Sequence, residues 1–280
     1  MPAHAAYIVL LAALMHASWN GLVKSGDDKL LTAVMITSVA GAIAALVLPL
    51  LPPPAAASWP FIAGSMLLHA LYYGLLAAAY RSADMSHSYP IMRGTAPLII
   101  AALSAWLVGE SVSEAQWLGI ALICGGVLGL AVHAPVQSTR HRSATAFALG
   151  NACVIAGYTL VDGLGVRRSG APAAYTLWVF LLTGLEMLPW ILICRRREFG
   201  ACLRGQWWQG LAGGGGTVLS YGLVLWAMTV APVAMVAALR ETSILFATVI
   251  SALLLRERVT LQRLACTGLI IAGAVALRLV

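Results

Sequence analysis

The sequence predicts an all-α membrane protein of ten transmembrane helices, arranged as two inverted five-helix repeats. Three observations predict this fold. The chain is 61% hydrophobic and only 10% charged, whereas soluble domains are nearer 25% charged. It divides into ten apolar segments, each close to the roughly 20 residues that span a bilayer as a helix. A single register, offset by 147 residues, relates its two halves.

The ten predicted spans are separated by short charged, Pro-rich or Ser-rich connections. The first segment lacks a basic stretch ahead of its apolar run, so it is predicted to be an uncleaved transmembrane helix. Within the eighth, the run GLAGGGGTVLSYG predicts close helix packing or local unwinding. The predicted spans are 4–24, 30–51, 59–81, 86–108, 114–133, 144–166, 172–194, 207–230, 232–255 and 261–279.

An internal repeat supports this division. YPIMRGTAPL from Tyr89 aligns with VAALRETSIL from Val236. With five spans in each half, the second copy crosses the membrane in the opposite direction. We therefore predict a first repeat over 1–134, a connecting loop over 135–143 and a second repeat over 144–280. The same register pairs Arg93 with Arg240, Glu110 with Glu257, and Gly126 with Gly273.

The basic residues predict the orientation. Of the 17 Lys and Arg, twelve fall on the side of the first connection and three on the other. Because positive loops stay in the cytoplasm, we predict an inner-membrane protein with both termini in the periplasm. The net charge of +7 then needs no nucleic-acid partner. Five cysteines without a C-x-x-C pair predict neither disulfides nor a zinc site, and no metal or cofactor is expected.

Two arginines, Arg93 and Arg240, lie inside predicted spans at matching positions, each roughly 10 Å deep at 1.5 Å per residue. Such a residue costs between about 2.5 and more than 10 kcal/mol in hydrocarbon. The side chains could snorkel to the headgroups or form a structural ion pair. They could instead line a polar cavity, which Pro97 favours because it frees the Arg93 carbonyl, a group that needs polar surroundings.

Polar side chains also recur at helical i, i+4 spacing in spans one, three, four and six. The arginines could hold a substrate carboxylate or phosphate, or could neutralise nearby acids. The aromatic residues could pack on a hydrophobic or cationic solute. The candidates for a proton relay are His16, His69, Asp162, Glu186 and Glu241. The predicted substrate-binding residues are His16, Trp19, Asn20, His69, Tyr72, Tyr73, Tyr89, Arg93, Tyr158, Asp162, Tyr221, Trp226, Arg240, Glu241 and Ser243.

In each half, a late span ends near a Glu and a Gly-rich span follows, as in GESVSEAQWLGIALICGGVLGL and RERVTLQRLACTGLIIAGAVAL. With ten spans in two halves, this pattern resembles the drug/metabolite transporter superfamily, EamA type. The resemblance implies a central cavity lined by spans one, three, four, six, eight and nine. It also implies export or exchange of small metabolites, often amino acids.

The predicted function is therefore a secondary transporter that exports or exchanges small polar metabolites by alternating access, with proton coupling as a hypothesis. The alternatives are a flippase for a lipid-linked intermediate and an exporter of drugs or cationic compounds. An enzyme is not predicted, because neither G-x-S-x-G nor H-E-x-x-H occurs. The expected partners are a small-molecule substrate and the lipid bilayer, and the chain is expected to be a monomer or a weak dimer.

Overall fold

The computed structural model describes residues 1–23, 28–82, 85–131, 141–254 and 260–279. The described residues form eleven α-helices and two short 3-10 turns, Leu48–Leu50 and Ala56–Ser58. The α-helices are α1 (Ala3–Val23), α2 (Lys29–Val47), α3 (Trp59–Ser82), α4 (Met85–Leu107), α5 (Glu114–Gly129), α6 (His141–Ser169), α7 (Pro172–Cys194), α8 (Arg196–Met228), α9 (Val233–Arg240), α10 (Ser243–Leu254) and α11 (Leu261–Leu279).

The predicted all-α membrane fold is confirmed. Eight helical segments of the described chain are long and apolar enough to cross a membrane. The helix α5 is apolar but has only 16 residues, and α1 has 21 residues but carries polar side chains. Each predicted span coincides with one helix, except that the ninth contains both α9 and α10. Glu257, Lys24, Arg140, Arg256, Arg258 and residues 135–140 of the predicted connecting loop lie outside the described residues.

Two predicted spans differ in detail from the structure. The apolar part of the eighth begins at residue 207 as predicted, after a kink at Gln206, but a basic helical segment over residues 196–205 precedes it and hydropathy does not register that segment. The ninth was expected to be continuous over 232–255. It breaks at Glu241 and Thr242, whose backbone N–H groups donate to the carbonyls of Ala238 and Leu239, three residues back. Such i, i+3 bonds tighten and end an α-helix.

Several helix pairs in the two halves pack equivalently. In the repeat, α1, α2, α3 and α4 are equivalent to α6, α7, α8 and α10. The contact of α3 with α6 therefore corresponds to that of α8 with α1. In the same way, α2 with α8 corresponds to α7 with α3, and α4 with α6 corresponds to α10 with α1. Equivalent helices also meet directly, α2 with α7 and α5 with α11. Exchanging the halves therefore leaves these neighbours unchanged, as expected for a twofold-related repeat.

The contact between α5 and α11 reproduces the predicted register residue by residue. A Cβ on Gly119 would meet the carbonyl oxygen of Gly273 at 3.2 Å, and one on Gly126 would meet that of Cys266 at 2.7 Å. Residues 119 and 266, like 126 and 273, are equivalent at the offset of 147. Glycine permits this approach of two helix backbones, as in other small-residue interfaces within membranes.

Glycines of α8 serve the same purpose. Residues 213–216 are helical, so the alternative of local unwinding is wrong, and the kink lies upstream at Gln206. A Cβ on Gly214 would meet the backbone nitrogen of Ala40 at 3.0 Å, and one on Gly216 would meet the ring of Trp19 at 2.6 Å. Close packing of α8 against α1 and α2 is therefore the observed role of this run.

Candidate functional site

The site is built around the break between α9 and α10. Every residue of α9 is buried, because α1, α4, α5, α6 and α8 surround it. Arg240 ends α9, Glu241 lies in the break, and Ser243 begins α10. A cation at the C-terminal end of a helix is stabilised by the helix dipole. The break thus presents charged side chains and turn backbone to the interior of the bundle rather than to lipid.

Arg93 reaches this break from α4. Its Nε lies 2.8 Å from Glu241 Oε2, and its Nη2 donates to Ser243 Oγ at 3.5 Å. Arg93 is 8% exposed and Glu241 only 1%. Arg93 also lies over the ring of Tyr89, 6.0 Å from its centroid. The guanidinium is therefore directed into the bundle, and the snorkelling alternative does not describe it.

Arg240 shares the same carboxylate, but less closely. Its Nε is 4.0 Å from Glu241 Oε1, beyond hydrogen-bonding distance. Arg240 also lies near Tyr158 on α6. Two guanidinium groups thus converge on one carboxylate, and Arg93 takes the short contact. No described carboxylate lies closer than 4.0 Å to Arg240.

Asp162 on α6 forms a second buried polar cluster. Its carboxylate accepts hydrogen bonds from Tyr175 at 2.9 Å and from Tyr221 at 2.6 Å. Ser65 lies close to it as well. Of the two acids considered as counter-ions for the arginines, Glu241 has that role, whereas hydroxyl donors hold Asp162.

His69 connects this cluster to an aromatic wall. Its Nδ1 lies 2.8 Å from the Ser65 carbonyl oxygen and 3.2 Å from the Ser65 hydroxyl. The imidazole stacks on Tyr158 with ring centroids 4.4 Å apart and meets Tyr221 edge-on at 6.4 Å. Tyr72 packs edge-on against Tyr158 at 6.1 Å. Helices α3, α6 and α8 therefore contribute one continuous aromatic surface.

Tyr73, on the next turn of α3, faces a different partner. Its hydroxyl shares a 2.6 Å hydrogen bond with Thr37 of α2 and its ring contacts Tyr72 at 5.1 Å. His69 and Tyr73 are thus on one face, as their spacing predicts, but each bonds elsewhere.

A third set of polar and aromatic side chains, His16, Trp19 and Asn20, lies on α1. Asn20 Nδ2 donates to His16 Nε2 at 2.9 Å, as the i, i+4 spacing predicts, and the Trp19 ring meets His16 edge-on at 5.2 Å. His16 is close enough to Arg93 and Arg240 to interact electrostatically with both. The Trp19 Nε1–H is buried and has no hydrogen-bond partner among the residues that the structure describes. A ligand that offers an acceptor could satisfy it.

Several side chains of these groups are only partly buried, so each keeps some surface that can contact water or a polar solute. The residues in this state are His16, Trp19, Asn20, His69, Tyr72, Tyr73 and Tyr221.

Two predicted residues lie apart from these groups. Trp226 is two residues from the end of α8 and packs edge-on against His4 at 6.1 Å. Glu186 lies on α7, and it forms no ion pair with any other described residue. Within the described chain, no group of three His, Cys, Asp or Glu is placed to hold a metal ion.

An ion pair that the sequence does not predict joins the two halves beyond the end of α4. Arg167 Nη2 lies 2.6 Å from Glu110 Oε1, and the same guanidinium donates to the carbonyls of Met228 and Ala231 at 2.6 and 2.8 Å. Glu110 Oε2 accepts from the Val233 backbone N–H at 2.8 Å. We call Glu110 and Arg167 the latch. One residue of the first half thereby holds α6, the end of α8 and the start of α9.

Three further site residues escaped the sequence reasoning. Ser65 continues the His69–Tyr73 face one turn earlier, so the same i, i+4 rule would have found it. Tyr175 and Thr37 carry no such signal, because each reaches its partner from a neighbouring helix.

Comparison with known proteins places the chain among transporters. The sequence profile described as the EamA-like transporter family matches residues 4–132 and 142–279. An uncharacterized protein, y4nH, of Sinorhizobium fredii is 31% identical over 85 residues, which cover 29% of this chain and 73% of that protein. A crystal structure described only as that of a protein is similar with a TM-score of 0.75 and 17% identity, covering 100% of this chain and 98% of the other. That last likeness supports the fold alone.

Proposed function

Since the chain belongs to the EamA-like transporter family and is thus a multi-pass membrane transporter of small molecules, we propose that it exports or exchanges small polar metabolites, such as amino acids, by alternating access. Its place is the inner membrane, with both termini in the periplasm, and it acts as a monomer or a weak dimer. The observation that carries the choice of solute is the incomplete pairing of Arg240 inside the bundle.

Arg240 binds the carboxylate of the solute. A guanidinium matches a carboxylate with two parallel hydrogen bonds, and its own counter-ion is already bound closely by Arg93. The Trp19 N–H supplies a further donor. The aromatic wall of His69, Tyr158 and Tyr221 packs on the rest of the solute. Binding is favourable because partly unsatisfied buried donors gain acceptors.

Asp162 and His69 provide the proton coupling. The two groups lie close together, and Ser65, which contacts His69, lies beside Asp162 as well. A buried carboxylate and a neighbouring imidazole can each change charge inside the membrane, so a proton carried by either alters the field at Arg240. Proton uptake from one side would then favour release of the solute.

The latch supports an alternating-access mechanism. Glu110 belongs to the first half, whereas Arg167, the Val233 N–H that its carboxylate accepts from, and the two carbonyls that Arg167 bonds all belong to the second. With the latch formed, the halves are held together at the side where α4, α6 and α8 end. Breaking it would let the halves separate there, while the other side closes.

Transport by the purified protein in proteoliposomes tests the proposal. We expect counterflow of a labelled neutral or acidic amino acid by the native chain. Arg240→Gln should lower the apparent affinity roughly 10- to 100-fold, the value of a charged hydrogen bond. Arg142→Gln is the matched control, because Arg142 is exposed at the start of α6. Movement of a lipid-linked sugar or an organic cation instead of amino acids would contradict the proposed solute.

A further inference from the structure

The elbow between α7 and α8 contains a short helix distinct from the spans on either side. Helix α7 ends at Cys194, and Arg195 has φ −143° and ψ 37°, outside the helical region. Residues 196–205 are helical. Gln206, with φ −128° and ψ 25°, forms a kink in the helix just before the apolar part of α8 begins. We call residues 196–205 the elbow helix. Its two corners allow it to point away from both spans.

The inner face of the elbow helix is fixed to the bundle. Phe199 is 5% exposed and packs in a cluster with Leu31, Met35 and Ile191. Arg195, just before the helix, is bound to Asp28 at 2.7 Å and to Glu198. Asp28 in turn caps α2 by accepting from the Leu31 N–H at 3.0 Å. The elbow helix is therefore positioned by packing and ion pairs that involve α2 and α7.

The elbow helix also carries three exposed arginines that take no part in these contacts. Arg196, Arg197 and Arg204 are exposed, and within the described chain none has a carboxylate within 4.0 Å. Arg197 and Arg204 are seven residues apart, which places them on the same face two turns apart. Both point roughly opposite to Phe199. Three guanidinium groups without acidic partners on so short a segment attract anions.

Large apolar side chains flank the arginines at the same level of the bundle. Trp207 and Trp208, directly after the kink, are 60% and 62% exposed. Leu203 on the elbow helix and Ile193 near the end of α7 are exposed as well. Tryptophan concentrates at the boundary between hydrocarbon and headgroups. Arginine and exposed tryptophan together are typical of helices that lie in the membrane interface.

We propose that the elbow helix is a binding site for the headgroups of anionic phospholipids. The guanidinium groups of Arg196, Arg197 and Arg204 bind lipid phosphate, chiefly through their positive charge. Trp207, Trp208 and Leu203 insert beside the acyl chains of the same lipids. This combination favours a lipid over a soluble phosphate, because a soluble anion would not cover the apolar side chains. The assignment does not depend on the transported solute.

Quenching of tryptophan fluorescence by brominated lipids tests the proposal. The full chain is placed in vesicles of dioleoylphosphatidylglycerol and dioleoylphosphatidylcholine, with one lipid or the other brominated. The signal of interest is the quenching that disappears in a Trp207→Phe/Trp208→Phe variant. We expect brominated phosphatidylglycerol to quench this signal preferentially. The triple variant Arg196→Gln/Arg197→Gln/Arg204→Gln should lose that preference by at least about ten-fold, since each basic residue near a charged surface contributes about five-fold.

Two variants and one competitor make the result specific. Arg278→Gln, an exposed arginine near the end of α11, should keep the preference. The triple Arg→Lys variant should keep most of it, which separates loss of charge from loss of fold. Soluble glycerol phosphate should not compete. An unchanged preference in the triple Gln variant, or its removal by glycerol phosphate, would overturn the proposal.

Discussion

At the scale of single residues, the site depends on how its buried charges are paired. Arg93 and Glu241 are in short contact, and both are almost fully buried. A buried ion pair adds little net stability compared with apolar residues, but removal of one partner leaves an uncompensated charge. Arg93 therefore holds Glu241 in place, and in the proposed mechanism Arg240 binds the solute. The proposal thus gives different roles to two arginines that are equivalent in the sequence repeat.

The pairing of Arg93 predicts a distinctive pattern of stability. Arg93→Gln should destabilise the protein by about 3–5 kcal/mol, because Glu241 loses its close counter-ion. The double variant Arg93→Gln/Glu241→Gln should recover at least half of that loss, since the stranded carboxylate is gone. Thermal unfolding of the purified protein in detergent measures both. A double variant no more stable than the single one would show that the pair is not coupled.

Asp162 is expected to control the pH response. Asp162→Asn removes a group that can be protonated, while an amide oxygen can still accept from Tyr175 and Tyr221. Solute exchange in proteoliposomes should continue, but an imposed pH gradient should no longer accelerate it. Tyr73→Phe is the comparison, because its hydroxyl bonds Thr37 and not Asp162. A gradient response that survives in Asp162→Asn would assign coupling elsewhere.

At the scale of helices, contacts with neighbouring helices, rather than the local sequence, determine where a helix continues and where it breaks. Helix α4 contains Pro90 and Pro97 and still runs unbroken from Met85 to Leu107. The equivalent second-half segment has no proline after Pro232, yet it breaks at Glu241. Propensity is a weak guide where neighbouring helices and buried charges determine the backbone. The break that forms the site was therefore not readable from the residues around it.

The glycine contacts between α5 and α11 give a matched pair of substitutions. Gly126→Ala places a Cβ 2.7 Å from the Cys266 carbonyl oxygen, so the helices must separate. A loss of about 1–3 kcal/mol follows from overpacking. Gly125→Ala, one residue earlier, meets nothing within 4 Å and should be neutral or slightly stabilising, because alanine favours helix. Melting temperatures of the two variants in detergent make the comparison, and equal values would refute the close contact.

At the scale of the whole molecule, the fold was largely predictable and the site only partly. Hydropathy located every span, and the repeat register found in the sequence reappears in the contacts of Gly119 and Gly126. Polar pairs within one helix, such as His16 and Asn20, were also foreseeable, since their geometry is local. Contacts between helices, such as those of Asp162 with Tyr175 and of Arg167 with Glu110, were not, because nothing in one segment records its neighbour.

The proposed orientation rests on the charge asymmetry and is testable independently of transport. If the basic connections lie in the cytoplasm, as we propose, a C-terminal reporter that is active only in the periplasm should give a signal. A second C-terminal fusion, to a reporter that is active only in the cytoplasm, should give no signal. The opposite pair of results would place both termini in the cytoplasm.

The most direct test of the central claim is the distance between the two halves at the latch. Spin labels at Ser111 of the first half and Val230 of the second, both exposed, report it by double electron–electron resonance in proteoliposomes. If the halves rock about the buried cluster of Arg93, Arg240 and Glu241, two distances between the spin labels should appear. Glu110→Gln should then shift the population towards the longer distance. A single distance, unchanged by Glu110→Gln and by transported solute, would contradict alternating access in this protein.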